Sequence, residues 1–334
     1  MRAAAFLGSP PLAGHASCTF FEDLTHMPQP FTDRITGIHA ATIVPMRPDF
    51  SLDEEGLARH IADVTQVEGM NGLLLNGHAG ENFVLTRAEK RRVVEIARKI
   101  APGTLIVSGV NQESSLEAAH EARELEDAGA DGLLVFPPNS WALGHDEDCV
   151  ILHHQHVRDA STLPLMLYGA PVGAGALAYS AGLLSRLSED PRIVAIKDGS
   201  WEVAAYEANL RLLHAQRPDF KVLGSGDEHL LTCYMIGSAG SQVSLAAVIP
   251  ELTIALWTAA QAGDWAEARR VHERLYPLSV AIYRDAPGGR ATARLKTCLK
   301  LLGKLDNDVL RPPQFASTRR EVDALEEALD HALA

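Results

Sequence analysis

Eight short apolar runs, many rich in β-branched residues, recur along this chain at 38–44, 72–75, 105–107, 132–136, 165–168, 193–196, 221–223 and 242–245. Each has the length of a strand. Between them lie stretches with apolar residues at helical spacing, among them 54–67, 87–100, 115–128, 202–214 and 251–262, which read as crossover helices. Eight strand and helix pairs match a closed (β/α)8 barrel, a TIM barrel of the α/β class, better than an open doubly wound sheet. The predicted organisation is an extension over residues 1–34, a catalytic barrel over 35–263 and a helical region over 264–334, where 295–302 and 321–333 are apolar on one face.

At 334 residues and 46% hydrophobic content, the chain can bury a full core. Its formal charge of -13, with no basic run, argues against a nucleic-acid partner or an anionic membrane surface. No segment reaches membrane-spanning length. Cys18, Cys149, Cys233 and Cys298 are far apart and include no CxxC pair, which fits a reducing cytoplasm rather than a zinc ribbon or a disulfide framework. Residues 1–34 carry several prolines, and their one apolar stretch, 3–7, is too short for a signal-peptide core. That segment reads as an extension ordered in part at most, or as an arm packing on a neighbouring subunit. Met27 is a candidate alternative start, which would leave 1–26 outside the native protein.

Lys197 ends the apolar run at 193–196 and is followed by Asp198, Gly199 and Ser200, which look like a loop opening a helix. The C-terminal ends of barrel strands are where active sites are built, and an amine there can serve as a nucleophile. The competing reading is a lysine that snorkels from the strand end to pair with Asp198.

Other segments join this one in register. Gly77-His78-Ala79-Gly80-Glu81 follows the second run, Leu167-Tyr168-Gly169-Ala170-Pro171 ends the fifth, and Gly224-Ser225-Gly226-Asp227 follows the seventh. Together with Asp127 to Gly132, Pro137-Pro138 and the segment 296–303, they resemble the signature loops of the dihydrodipicolinate synthase and N-acetylneuraminate lyase family, in its order and near its spacing. The resemblance spans about residues 37–303. It implies a class I, Schiff-base lyase on a (β/α)8 barrel, assembled as a homotetramer or dimer, with a small 2-oxo acid as substrate and neither metal nor cofactor.

In that chemistry a neutral lysine amine adds to the C2 ketone of a 2-oxo acid and loses water, and the resulting iminium draws electrons from C3. Burial favours the neutral amine. By resemblance Lys197 is the nucleophile and Tyr168 the acid/base, although a core tyrosine with a satisfied hydroxyl is the plainer reading of Tyr168 alone. Gly77, Ala79 and Gly80 would offer backbone N–H groups to the substrate carboxylate.

The chain departs from the family at informative positions. Hydroxyl residues usual in the first loop are replaced by His78 and Ala79, so His78 is either a substitute proton relay or a structural histidine. The synthase's paired tyrosines are replaced by Asn139 and Ser140, and its arginine for the aldehyde carboxylate by Gly173. A glycine cannot clamp an anion through a side chain, which argues against aspartate semialdehyde as substrate. Asp227 and Glu228 stand where sugar-acid lyases of the family contact hydroxyls, or they simply open the next helix. Ser244 and Gln242 are further candidates at the mouth.

His153, His154 and His156 do not share one helix face, which argues for a solvated helix over a metal site. Gly224, Gly226, Gly237 and Gly240 form no dinucleotide fingerprint, though they could line a carboxylate or phosphate pocket at the barrel top. The expectation is a Schiff-base lyase for a pyruvate-like 2-oxo acid. The alternatives are a 2-keto-3-deoxy sugar acid dehydratase using the same imine, and a catalytically degenerate protein that only binds 2-oxo acids.

Overall fold

The computed structural model describes residues 30–334. Strands β1 (Gly37–Ala41), β2 (Met70–Leu75), β3 (Leu105–Val110), β4 (Gly132–Val135), β5 (Leu165–Gly169), β6 (Ile193–Asp198), β7 (Lys221–Gly224) and β8 (Gly240–Val243) pair in chain order, and β8 closes on β1 in parallel. The expected (β/α)8 barrel is therefore the observed one. Its helices are α1 (Phe31–Arg34), α2 (Glu54–Thr65), α3 (Arg87–Ile100), α4 (Ser115–Asp127), α5 (Glu147–Ala160), α6 (Ala181–Ser188), α7 (Val203–Gln216) and α8 (Leu230–Ile236). Beyond the barrel strands come α9 (Leu245–Val248), α10 (Pro250–Gln261), α11 (Trp265–Ser279), α12 (Ala291–Leu301) and α13 (Arg319–Leu333).

Strand side chains alternate between two apolar layers. Leu133, Val135, Leu165, Leu167 and Ile196 pack outward against the helices, whereas Leu134, Phe136, Met166, Tyr168 and Ala195 fill the barrel interior. The same period of two that sends Ala195 inward also sends Lys197 inward, one step nearer the C-terminal rim. Closure at β8 and β1 requires glycine: a Cβ on Gly240, whose φ is +153°, would stand 2.1 Å from the Gly37 carbonyl oxygen. The eighth strand accordingly starts earlier than its apolar run, and Ser244 and Leu245 are already the cap and first residue of α9.

Most of the expected extension lies outside the described residues. Its last four residues form α1, and Phe31 with Ile35 packs onto the interior layer at the N-terminal end of the strands, while Arg34 lies 3.6 Å from Asp131. The histidine-bearing segment is α5, and it is not a solvated helix. His153 and His154 are buried. Ser115 Oγ lies 3.0 Å from His153 Nδ1, and the Tyr179 hydroxyl 3.3 Å from His154 Nε2. The cause is tertiary packing: partners distant in sequence receive the rings, and burial holds His154 neutral, its pKa pushed down to about 4. Among the described residues no cluster of His, Cys, Asp or Glu could hold a metal ion, and no helix is long and apolar enough to cross a membrane.

The helical region wraps back onto the C-terminal rim of the barrel. Pro277 interrupts the hydrogen-bond ladder of α11, and the orphaned Glu273 carbonyl lies 3.2 Å from His331 Nε2 of α13. The helix then runs into a π turn, Val280–Arg284. That turn carries Tyr283 and Arg284 to the mouth.

Candidate active site

Lys197 and Tyr168 are direct partners across β6 and β5. Both are 8% exposed and both sit one residue before their strand ends, where the inward alternation meets the open rim. Burial pushes the Lys197 amine down to about 8, against an opposing pull from the Asp227 carboxylate. Burial, aided by the charge of Asp198, pushes the Tyr168 phenol up to about 12. Asp198 is not the partner of the lysine: its carboxylate accepts from the Ser200 N–H at 3.0 Å and from Asn209 Nδ2 at 2.8 Å. Close approach of the two strand ends needs Gly199, whose N–H donates to the Gly169 carbonyl at 2.8 Å and whose Cβ, were it present, would stand 2.8 Å from that oxygen.

The turn after β2 is a 3-10 turn over His78–Gly80, closed by N–H groups of Gly80 and Glu81 on the Gly77 and His78 carbonyls, both at 3.0 Å. At its start the N–H groups of His78 and Ala79 have no backbone partner among the described residues, as at the start of any helical turn. Glu81, at φ 57° and fully buried, anchors the turn: one oxygen accepts from the Arg311 N–H at 3.1 Å and the other from Lys296. Thr292 Oγ1 donates to the His78 carbonyl at 3.1 Å. The imidazole of His78 stacks near Phe136 (4.6 Å between centroids) and meets the Tyr168 ring edge-on (5.1 Å). The ring is exposed at the mouth, and the nearby Lys197 charge disfavours its protonated form. No hydrogen bond joins it to Tyr168 among the described residues, so the ring contact is one of packing.

The remaining candidates ring the same end of the barrel. Asn139 and Gly173 lie on exposed 3-10 turns after β4 and β5. The N–H groups of Asn139 and Ser140 donate to Glu113 at 2.8 and 3.0 Å, and nothing lies within 4 Å of where a Gly173 Cβ would be. Asp227 and Glu228 are buried in a 3-10 turn before α8, and both are engaged by protein groups. Asp227 Oδ1 accepts from the Leu245 N–H and the Tyr283 hydroxyl, each at 3.1 Å, and Glu228 pairs with Arg284. Ser244 follows β8 and precedes α9, whereas Gln242 is buried inside the barrel against Met166.

The family model of the "Dihydrodipicolinate synthetase family" matches residues 34–332. The chain belongs to this family. A curated relative from Streptomyces coelicolor, 4-hydroxy-tetrahydrodipicolinate synthase 1, is 33% identical over 85% of this chain and 89% of its own. An uncharacterized DapA-like lyase of Thermococcus kodakarensis is 28% identical over 88% and 98% respectively. Among solved structures, YagE of E. coli K12, a prophage protein of the dihydrodipicolinic acid synthase family in complex with pyruvate, superposes with a TM-score of 0.83 at 25% identity, covering 90% of this chain and 99% of its own.

Within this lyase family the chain has a strand-end lysine and tyrosine in register, together with the Gly77 turn. Sequence reasoning missed three residues of the mouth. Phe136 was legible in principle, two positions beyond inward-facing Leu134. Tyr283 and Arg284 carried no signal, because only the π turn after Pro277 brings them to acids 56 positions earlier.

Proposed function

We propose that this protein is a Schiff-base-forming lyase of the class I aldolase type, acting on a pyruvate-like 2-oxo acid and not using aspartate semialdehyde as the aldehyde partner. The observation that carries the reading is the buried Lys197 amine beside the Tyr168 phenol. With a pKa near 8, about a tenth of the amine is neutral at pH 7, several hundredfold more than for an ordinary lysine. The amine adds to the C2 ketone and a proton passes from nitrogen to oxygen, giving a carbinolamine. Tyr168 protonates the departing hydroxyl, water leaves, and the nitrogen lone pair closes the iminium. Electrons then drain from the C3–C4 bond while the tyrosinate takes the C4 hydroxyl proton, and that bond breaks.

The N–H groups of His78 and Ala79 would hold the substrate carboxylate, since backbone donors there do not depend on the missing hydroxyl side chains. Exposed Gly173 offers no cation for a second carboxylate, which supports a substrate uncharged at that end. The test is borohydride reduction in the presence of pyruvate and a panel of 2-oxo sugar acids, with peptide mapping of any mass adduct. An adduct on Lys197 is expected. One on another lysine, or none with any substrate, sinks the mechanism. Product analysis then separates aldol cleavage, which releases pyruvate, from dehydration, which does not.

A further inference from the structure

The Asp227 carboxylate is held from two directions by elements that follow the barrel proper. Leu245 donates its N–H to Oδ1 from the first turn of α9, and Tyr283 donates its hydroxyl to the same oxygen from the π turn. Ser279 Oγ, on the last turn of α11, donates to the Asp227 carbonyl at 3.3 Å. The residue is 5% exposed. Neighbouring Glu228 is drawn off to Arg284, which also donates to the Tyr276 hydroxyl at 2.8 Å, so the two acids do not compete for one partner.

A second observation converges on Tyr283. Trp201, four residues after Lys197, holds the left-handed conformation at φ 59°, which is strained for a bulky side chain. Its indole packs on the Tyr283 ring at 5.4 Å between centroids, and its carbonyl lies 3.1 Å from His229 Nε2. The loop after β6 and the turn after β7 thus both close on one tyrosine supplied by the C-terminal region.

We propose that Tyr283 is a positioning residue of the active site: through Oδ1 it fixes the buried Asp227 carboxylate as the counter-charge of the Lys197 iminium, with Trp201 as its buttress. The inference rests on Lys197 being the imine-forming residue. A carboxylate fixed in this place offsets the iminium in a buried barrel mouth, where an unpaired charge is costly. Lys197, one residue before the end of β6, and Asp227, three residues past the end of the adjacent β7, are both buried at the same rim, beyond ion-pair distance of each other, and the Tyr283 hydroxyl, the Leu245 N–H and the Tyr234 phenol of α8 are the other groups around the carboxylate.

The experiment measures the pH dependence of borohydride trapping with pyruvate in the full chain. If the two groups act together, the profile is expected to show limbs near 8 and near 6. A phenol that donates to the carboxylate favours its anion, so Tyr283→Phe, which keeps the ring against Trp201, moves the lower limb up by about half a pH unit while still forming the adduct above pH 8. An unchanged profile with the adduct retained overturns the positioning role and leaves the imine reading standing. Absence of the adduct in the parent protein overturns the imine reading instead. Asp227→Asn provides an independent arm, since it removes the lower limb altogether, and a parental profile in that variant also overturns the proposal.

Discussion

Lys296 and Glu81, 215 positions apart, form an ion pair whose side chains are 1% and 0% exposed. The pair ties α12 to the turn proposed to bind the substrate carboxylate. Removing one member leaves a buried charge unmatched, so Lys296→Met is expected to lower stability by about 3–5 kcal/mol in chemical denaturation. The double variant with Glu81→Gln is expected to be more stable than Lys296→Met alone, because it no longer buries a lone carboxylate.

Adduct formation on Lys197 is expected to rise with pH and to level above about 8. The sign follows from the chemistry: only the neutral amine adds to a ketone, and its share grows as pH approaches the lowered pKa. A rate still climbing steeply between pH 9 and pH 10 would show an ordinary lysine. Stopped-flow mixing with pyruvate, quenched by borohydride, reads it directly.

Replacing His78 by Phe keeps an aromatic ring against Phe136 and Tyr168. Turnover is expected to stay within about threefold of the parent, whereas loss of a proton-transfer group costs on the order of a hundredfold or more. A drop of that larger size in kcat, with folding intact by circular dichroism, would make the imidazole a relay after all.

Gly173→Arg adds a guanidinium in open space. It is expected to change stability by less than about 0.5 kcal/mol, as surface substitutions usually do. Its readout is acceptance of aldehydes with and without a distal carboxylate: relative kcat/KM is expected to shift toward the anionic aldehyde, and no shift would show that this turn does not face the substrate.

The barrel was legible because its eight runs are short and apolar, and the helices between them keep a helical period. Lys197 was legible because a charged residue closing such a run has few reasons to be there. Where reading failed, the cause was distance or context. Nothing local to His153 and His154 shows that Ser115 and Tyr179 would receive their ring nitrogens. Asp227 and Glu228 were recognisable as acids at the mouth, yet their partners come from a helix distorted by Pro277, and no periodicity in residues 227–229 announces that.

The contacts of Glu81 carry a consequence for the order in which the protein is made. A chain emerges from the ribosome with its amino end first. All eight barrel strands are out before Thr292, Lys296 and Arg311, which hold the turn after β2. A nascent barrel can therefore have Lys197 in place while the turn after β2 is still unfastened. The turn after β2 is fastened only once residues 292–311 have been made, after every barrel strand.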